Sequence, residues 1–238
     1  MKLDDRTVVI SGATGELGFI LAQALAAEQA KLALIGKDSQ KLAVSAGALG
    51  LPEERVMAVT ADLLNPVQTQ AAAGAIAERF GRVDALLHLA GGWTGGKSLV
   101  EAPPEDLEFM LKQHVWTSLH VIQAFVPHVV KNSWGRVVMI SSPFASRPAA
   151  KGGPYAAGKA AQEALMLTLA QELKGTGVTA NLLLVKTIDT QRKRVTVPSS
   201  ENVSWSTPEE ICAAVMYLLS DEAGVVNGAK IPLYGGMS

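Results

Sequence analysis

SGATGELG, Ser11 to Gly18, decides how this chain is to be read. It follows a short β-branched run, Thr7–Ser11, and opens a stretch of helical periodicity, with Gly12, Gly15 and Gly18 at every third position. Glycines so spaced allow a tight turn, a bare backbone close to a ligand, and close packing of helix on strand. A helix that starts there turns its free N–H groups toward the turn, where they favour an anion. A plain strand-to-helix turn could carry the same glycines. The chain around the motif makes it a dinucleotide-binding turn.

Outward from the turn, short apolar runs alternate with longer helix-period stretches. Strand candidates are Thr7–Ser11, Lys31–Ile35, Val56–Thr60, Ala85–Leu89, Arg136–Ile140, Thr179–Val185 and Lys230–Leu233. Helical stretches fall near Glu16–Glu28, Asp38–Ala46, Pro66–Phe80, Pro104–Lys131, Tyr155–Lys174 and Pro208–Ser220. The strands read as apolar on both faces, as parallel strands covered by helices on both sides must be. The rhythm predicts an α/β fold: a doubly wound (Rossmann), mostly parallel, seven-stranded sheet with helices on both faces. No linker, repeat or low-complexity run interrupts it, so 1–238 reads as one domain. The least patterned segment, Thr190 to Thr207 (TQRKRVTVPSSENVSWST), is too polar for a core and lies beyond a strand end. That is the place of a mobile, substrate-covering loop.

Composition narrows the function classes. With 238 residues, 48% of them hydrophobic, the chain can bury a substantial core, and its net charge of −1 gives no reason to expect nucleic acid or an anionic membrane. The N-terminal MKLDDRTVVISG lacks the apolar core of a signal peptide, and no run approaches the length of a membrane span. The lone Cys212 cannot form an internal disulfide and reads as a buried structural thiol. A cytoplasmic protein acting on a small molecule is the expectation, with no metal site.

Two further places carry chemistry. Asp62 follows the third strand, where its carboxylate either accepts from an adenine amino group or caps the next helix. At the tip of the second strand, LALIGKDSQKL, an acidic residue would bind ribose hydroxyls and repel a 2′-phosphate. Here Gly36 is followed by Lys37, a point charge suited to phosphate, and then by Asp38, which either caps a helix or reaches the ribose. The balance favours NADP, with NAD as the alternative.

YAAGK, Tyr155 to Lys159, puts a phenol and an ammonium one turn apart on a helix face, thirteen residues after Ser142 at a strand end. A free tyrosine has a pKa near 10, and a neighbouring cation lowers it; a shift of about three units needs about 4 kcal/mol and a shielded site. Tyr155 so tuned passes a proton to or from a substrate oxygen that Ser142 holds.

With these residues the chain resembles the short-chain dehydrogenases/reductases over essentially its whole length. The matching residues are the three glycines, Asp62, Ala90-Gly91, Ser142, Tyr155-x-x-x-Lys159, Asn181, Thr190 and the closing Tyr234-Gly235-Gly236. The resemblance implies hydride transfer with NADP or NAD, with Ser142, Tyr155 and Lys159 catalytic. It implies that Gly12, Thr14, Gly15, Leu17 and Gly18 bind the cofactor, together with Lys37, Asp62 and Leu63. Ala90, Gly91, Lys159, Thr187 and Thr190 complete that set. A homodimer or homotetramer built through helices around 115–131 and 155–174 is also implied.

Departures from the family pattern are specific. Glu16 stands where a glycine is usual, and His88-Leu89-Ala90-Gly91 replaces N-N-A-G. His114 in KQHVWTS falls at the position of the fourth catalytic member, an asparagine, and reads either as its substitute or as a packed helix histidine. Val185-Lys186 replaces a proline-glycine pair. AGGWTGG, KQHVWTS, Thr187–Thr190 with Arg192-Lys193, and Ser204–Pro208 resemble the dihydropteridine reductases. That resemblance implies a flat conjugated C=N or C=O substrate, a quinonoid dihydropteridine. A carbonyl or 3-oxoacyl reductase is the alternative, and a non-enzymatic dinucleotide sensor a remote one. Trp93 either forms a substrate wall with Ser142 and Tyr155 or anchors a lid by packing on Trp116 or Trp205. Arg192, Lys193 and Arg194 read as a solvated loop or a greeting for an anionic substrate.

Overall fold

The computed structural model describes residues 3–234; Gly235 and Gly236 of the closing signature lie outside them. The strands are β1 (Thr7–Ser11), β2 (Lys31–Gly36), β3 (Val56–Thr60), β4 (Ala85–His88), β5 (Gly135–Ser141), β6 (Val178–Val185) and β7 (Lys230–Leu233). They form one sheet in the order β3-β2-β1-β4-β5-β6-β7, and every pairing is parallel. The helices are α1 (Glu16–Ala27), α2 (Ser39–Gly47), α3 (Pro66–Phe80), α4 (Pro104–Leu111), α5 (Thr117–Val130), α6 (Gly153–Glu172), α7 (Lys193–Thr196) and α8 (Pro208–Leu218).

Alternate strand residues feed two cores. Val9, Leu86, Val137 and Met139 pack with α3, α5 and α6; Val8, Ile10, Leu87 and Val138 pack with α1, α2 and α8. Burial on both faces holds for the central strands only. The outer strands β3 and β7 are half-covered, because an edge strand lacks a neighbour on one side.

The boundaries expected from sequence hold to within about two residues, with one correction. The helix expected over Pro104–Lys131 is α4 and α5 joined by a π-turn, Lys112–Trp116. In this wider turn Thr117 Oγ1 donates to the Gln113 carbonyl (2.7 Å) and Ser118 Oγ to that of His114 (2.6 Å). Such bulges concentrate at functional sites.

Two open questions about acidic residues are resolved by capping. Asp38 caps α2, accepting from Gln40 and Lys41 N–H. The cap of α3 is Asn65, not Asp62, which instead accepts from Leu64 N–H two residues on. By contrast, α1 begins at Gly15 with no side-chain cap, leaving its first N–H groups to the turn.

The strand order reverses between β1 and β4, the switch point where open α/β sheets form a crevice beyond the strand ends.

Candidate active site

Gly12 (φ +77°) turns the chain out of β1, and a Cβ on it would sit 2.9 Å from the Ala90 nitrogen beyond β4. A Cβ on Gly18 would lie 2.5 Å from the Gly12 carbonyl oxygen and 2.8 Å from Ala13 Cα. These two glycines make the turn possible. Gly15 differs, with ordinary φ and its nearest atom at 3.5 Å, so it lies open toward the crevice.

A cleft of about 390 Å³ occupies this position, lined by Gly12, Thr14 and Gly15, by Gly36, Lys37 and Lys41, and by Leu63, Ala90 and Gly91. A bare turn, an uncapped helix N-terminus and an elongated groove past β2 fit a dinucleotide. Leu17, one of the expected cofactor residues, does not line the cleft. Its side chain is buried with Leu21 and Leu25 against the sheet, because the second position of α1 faces inward, and only its backbone faces the turn. Lys37 and Asp62 pair with each other at 2.9 Å, on side chains 60% and 42% exposed. That pair and the Leu64 N–H hold the Asp62 carboxyl below its usual range, against its own partial burial.

The chemistry is set at the ends of β5 and α6. Ser142 is buried just beyond β5, and its hydroxyl accepts from Phe144 N–H at 3.3 Å. Tyr155 stands in the first turn of α6 and hydrogen-bonds with Ser142. Burial raises the Tyr155 pKa above its usual value, and the Ser142 bond opposes this only in part. The expected lowering by Lys159 is therefore not found. The cause is geometric: the Lys159 ammonium is engaged elsewhere, donating to the Ile140 carbonyl (2.7 Å) and to Gln162 Oε1 (2.9 Å). Burial pulls Lys159 down to about 7. Tyr155 is a neutral phenol, ready to donate.

His114 lies in the π-turn with its ring edge-on to Tyr155, centroids 5.5 Å apart. Its Nε2 is 2.8 Å from the Gly92 carbonyl and so carries the proton, while Nδ1 is buried without a partner. Burial and the nearby Lys159 charge push its pKa down to about 3. His114 is thus a packed, neutral histidine. His88 at the end of β4 is likewise held neutral, at about 3, between Ser11 Oγ (2.6 Å) and Thr117 Oγ1 (3.3 Å).

Beyond the Tyr155 hydroxyl lies a second cavity of about 400 Å³, lined by Trp93, Phe144, Tyr155, Val185, Thr187 and Ile188 among others. Trp93 is 66% exposed, and its ring folds over Gly95, whose Cβ would lie 3.0 Å from it. Among the described residues it forms no ring pair with Trp205 or with Trp116, whose ring lies tilted over His120 with centroids 6.0 Å apart. Thr190 is not brought to the cleft; it lines a small hollow with Gln191 and Trp205. The 190–207 segment contains α7 and is pinned at its root. Arg192 pairs with Glu16 and Glu209, and Arg194 with Glu210, so both arginines are held in ion pairs at the surface. Asn181 is structural: it bonds the Val226 carbonyl (2.7 Å) and Ala229 N–H (3.0 Å). Cys212 is buried in the core as expected.

Sequence reading missed Gln162 and Glu163. Glu163 accepts from Ser141 Oγ (2.7 Å) and pairs with Lys230 (3.0 Å). The signal was present: Tyr155, Lys159, Gln162 and Glu163 fall at i, i+4, i+7 and i+8 of one helix face.

Among the described residues no helix is long and apolar enough to cross a membrane, and no cluster of potential metal ligands occurs. Residues 6–200 match the family model described as short chain dehydrogenase. The chain is 31% identical to the meso-2,3-butanediol dehydrogenase of Serratia marcescens, covering 99% of this chain and 96% of that protein. It is 28% identical to the 3-oxoacyl-[acyl-carrier-protein] reductase MabA of Mycobacterium bovis, over 98% and 92% of the two chains. A short-chain type dehydrogenase/reductase from Mycobacterium ulcerans superposes with a TM-score of 0.90 at 25% identity, over 99% of this chain and 90% of that one. Glycine turn, parallel order and match across most of the length agree: the chain belongs to the short-chain dehydrogenase/reductase family of oxidoreductases.

Proposed function

We propose that the chain is a carbonyl reductase that uses NADPH in preference to NADH and acts on a small ketone or 3-oxoacyl group. The observation that carries this reading is the neutral Tyr155 phenol, hydrogen-bonded to Ser142, on the wall of an apolar-lined cavity of about 400 Å³. That volume suits a small ligand. When bound, the dinucleotide supplies the hydride. Tyr155 gives its proton to the substrate oxygen, Ser142 donates a hydrogen bond to that oxygen, and Lys159 holds positive charge behind them.

The preference for NADPH rests on the groups at the tip of β2. Asp38 lines the cleft and gives one carboxylate oxygen to two backbone N–H groups, Asp62 is paired with Lys37, and two lysines, Lys37 and Lys41, line the cleft against the single carboxylate of Asp38. An exposed ion pair contributes at most about 1 kcal/mol, so Lys37 can exchange Asp62 for a 2′-phosphate at little cost. A flat dihydropteridine is the second reading, favoured by Trp93 on the cavity wall. Assembly as a dimer or tetramer through α5 and α6 completes the proposal, and light scattering tests it.

Turnover of NADPH and NADH with small diketones, a 3-oxoacyl thioester and a quinonoid dihydropteridine tests the function. Ketone or thioester reduction, faster with NADPH, is expected. Turnover of the pteridine alone would replace the main reading, and tight NADPH binding without any turnover would sink both. Lys37→Ala is expected to weaken NADPH about tenfold while leaving NADH nearly unchanged; equal effects on the two would remove the cofactor assignment.

A further inference from the structure

Lys159 is buried, 6% exposed, and an ammonium in such a place needs acceptors. Ile140 supplies one from the end of β5, and Gln162 the other, from one turn further along α6. Gln162 is itself 1% exposed. The orientation of its amide is fixed by its neighbours. Lys159 is a donor only, so the amide oxygen faces it, and the NH2 faces Ser118 Oγ at 2.9 Å. Ser118 in turn donates to the His114 carbonyl in the π-turn. An unbroken run of hydrogen bonds thus ties the Lys159 ammonium to the segment that packs on Tyr155.

The titratable and charged groups around Lys159 are few. Tyr155 lies one turn earlier on α6. Glu163 follows Gln162, its carboxylate shared between Ser141 and Lys230 of β7. His114 comes from the π-turn and His88 from β4, both neutral. The one acceptor on the Lys159 ammonium that comes from a side chain is therefore a neutral amide.

We propose that Gln162 is a positioning residue, which aims the Lys159 ammonium and, being neutral, leaves the charge of Lys159 responsive to its surroundings. A glutamate at the same position would fix the charge as an ion pair, and an apolar residue would leave the ammonium short of an acceptor. The kinetic consequence rests on the reductase reading above; the effect on Lys159 does not.

Lysine-selective carbon NMR of the ligand-free protein reads the Lys159 midpoint directly, with the signal assigned by its loss in Lys159→Arg. Gln162→Glu is expected to raise that midpoint by about one unit or more, and Gln162→Met to lower it. In the enzyme supplied with NADPH and ketone, the alkaline limb of kcat should move in the same two directions. The Met variant should lose about 10- to 100-fold in kcat with little change in KM. A structural role alone would move both variants the same way or leave the midpoint in place. Ser118→Ala removes the anchor of the amide without touching α6, and a lowered midpoint is expected there too. An unmoved midpoint in the folded Gln162 variants, or in Ser118→Ala where they do not fold, would overturn the proposal. Absence of turnover alongside shifted midpoints would count against the reductase reading and leave Gln162 as the residue that holds Lys159.

Discussion

A tyrosine becomes a proton donor here because of where its hydroxyl sits. Tyr155 is half-buried, desolvation raises its pKa, and its partner is the Ser142 hydroxyl. Removing that hydroxyl leaves the ring packed against His114 and the cleft unchanged. Tyr155→Phe is therefore expected to lose about 10²–10⁴ in kcat, with dinucleotide affinity, followed by fluorescence, nearly intact. Unchanged turnover would remove Tyr155 as the acid. Lys159, with its midpoint pulled to about 7, is the group whose charge changes within the working range of pH.

The strand-to-helix turn makes its three glycines unequal. At Gly18 a methyl group meets two backbone atoms that cannot move independently, and at Gly12 the φ of +77° adds strain to the clash with Ala90. Gly18→Ala should cost about 1–3 kcal/mol by overpacking, seen in urea unfolding. Gly15→Ala should cost only the difference between glycine and alanine at a helix N-cap, less than about 1 kcal/mol. It should nevertheless weaken dinucleotide binding, because its methyl group points into the cleft. A similar loss of stability at positions 15 and 18 would contradict this. Asn65, which caps α3 through two N–H groups, should cost about 1 kcal/mol on replacement by alanine.

Two features act on the molecule as a whole. At the end of the sheet away from the cleft, buried Asp84 accepts from Thr7 N–H (2.8 Å), from Arg82 through two nitrogens (2.8 and 2.5 Å) and from Asn132 (3.3 Å). Asp84→Ala leaves the Thr7 N–H without its partner, while Asn132 keeps the Val83 carbonyl and the half-exposed Arg82 turns to water, and should cost about 1–3 kcal/mol, read as a lowered Tm. The second feature is acid sensitivity. Unfolded histidine binds its proton near pH 6.5, whereas His88 and His114 do so only at about 3 in the fold. Their contribution is fully present above pH 6.5 and is lost as pH falls toward 3, at about 1.4 kcal/mol per pH unit for each histidine. Thermal unfolding at about pH 7 and about pH 5 should show this loss, and His88→Asn should reduce it by roughly half. An identical pH slope in the variant would rule out this origin.

The sequence by itself determined the α/β alternation, the place of the glycine turn and the pairing of Tyr155 with Lys159. Each is written in local spacing: period two or near-continuous apolar runs for strands, near four for a helix face, three for the turn. The π-turn was not legible, because it depends on how α4 packs on α6 and α5 on β4, and on two hydroxyls returning to the carbonyls of Gln113 and His114. Nor could spacing assign the partner of a charge. Lys37 turned to Asp62, Arg192 to Glu16 and Glu209, and Lys159 to Ile140 and Gln162, partners up to 176 residues apart in the chain. Tertiary structure alone decided these, since burial and the direction of a side chain are set by elements that meet only when the sheet closes. For the same reason the Tyr155 pKa is raised and not lowered: desolvation belongs to the fold, and no local pattern of residues records it.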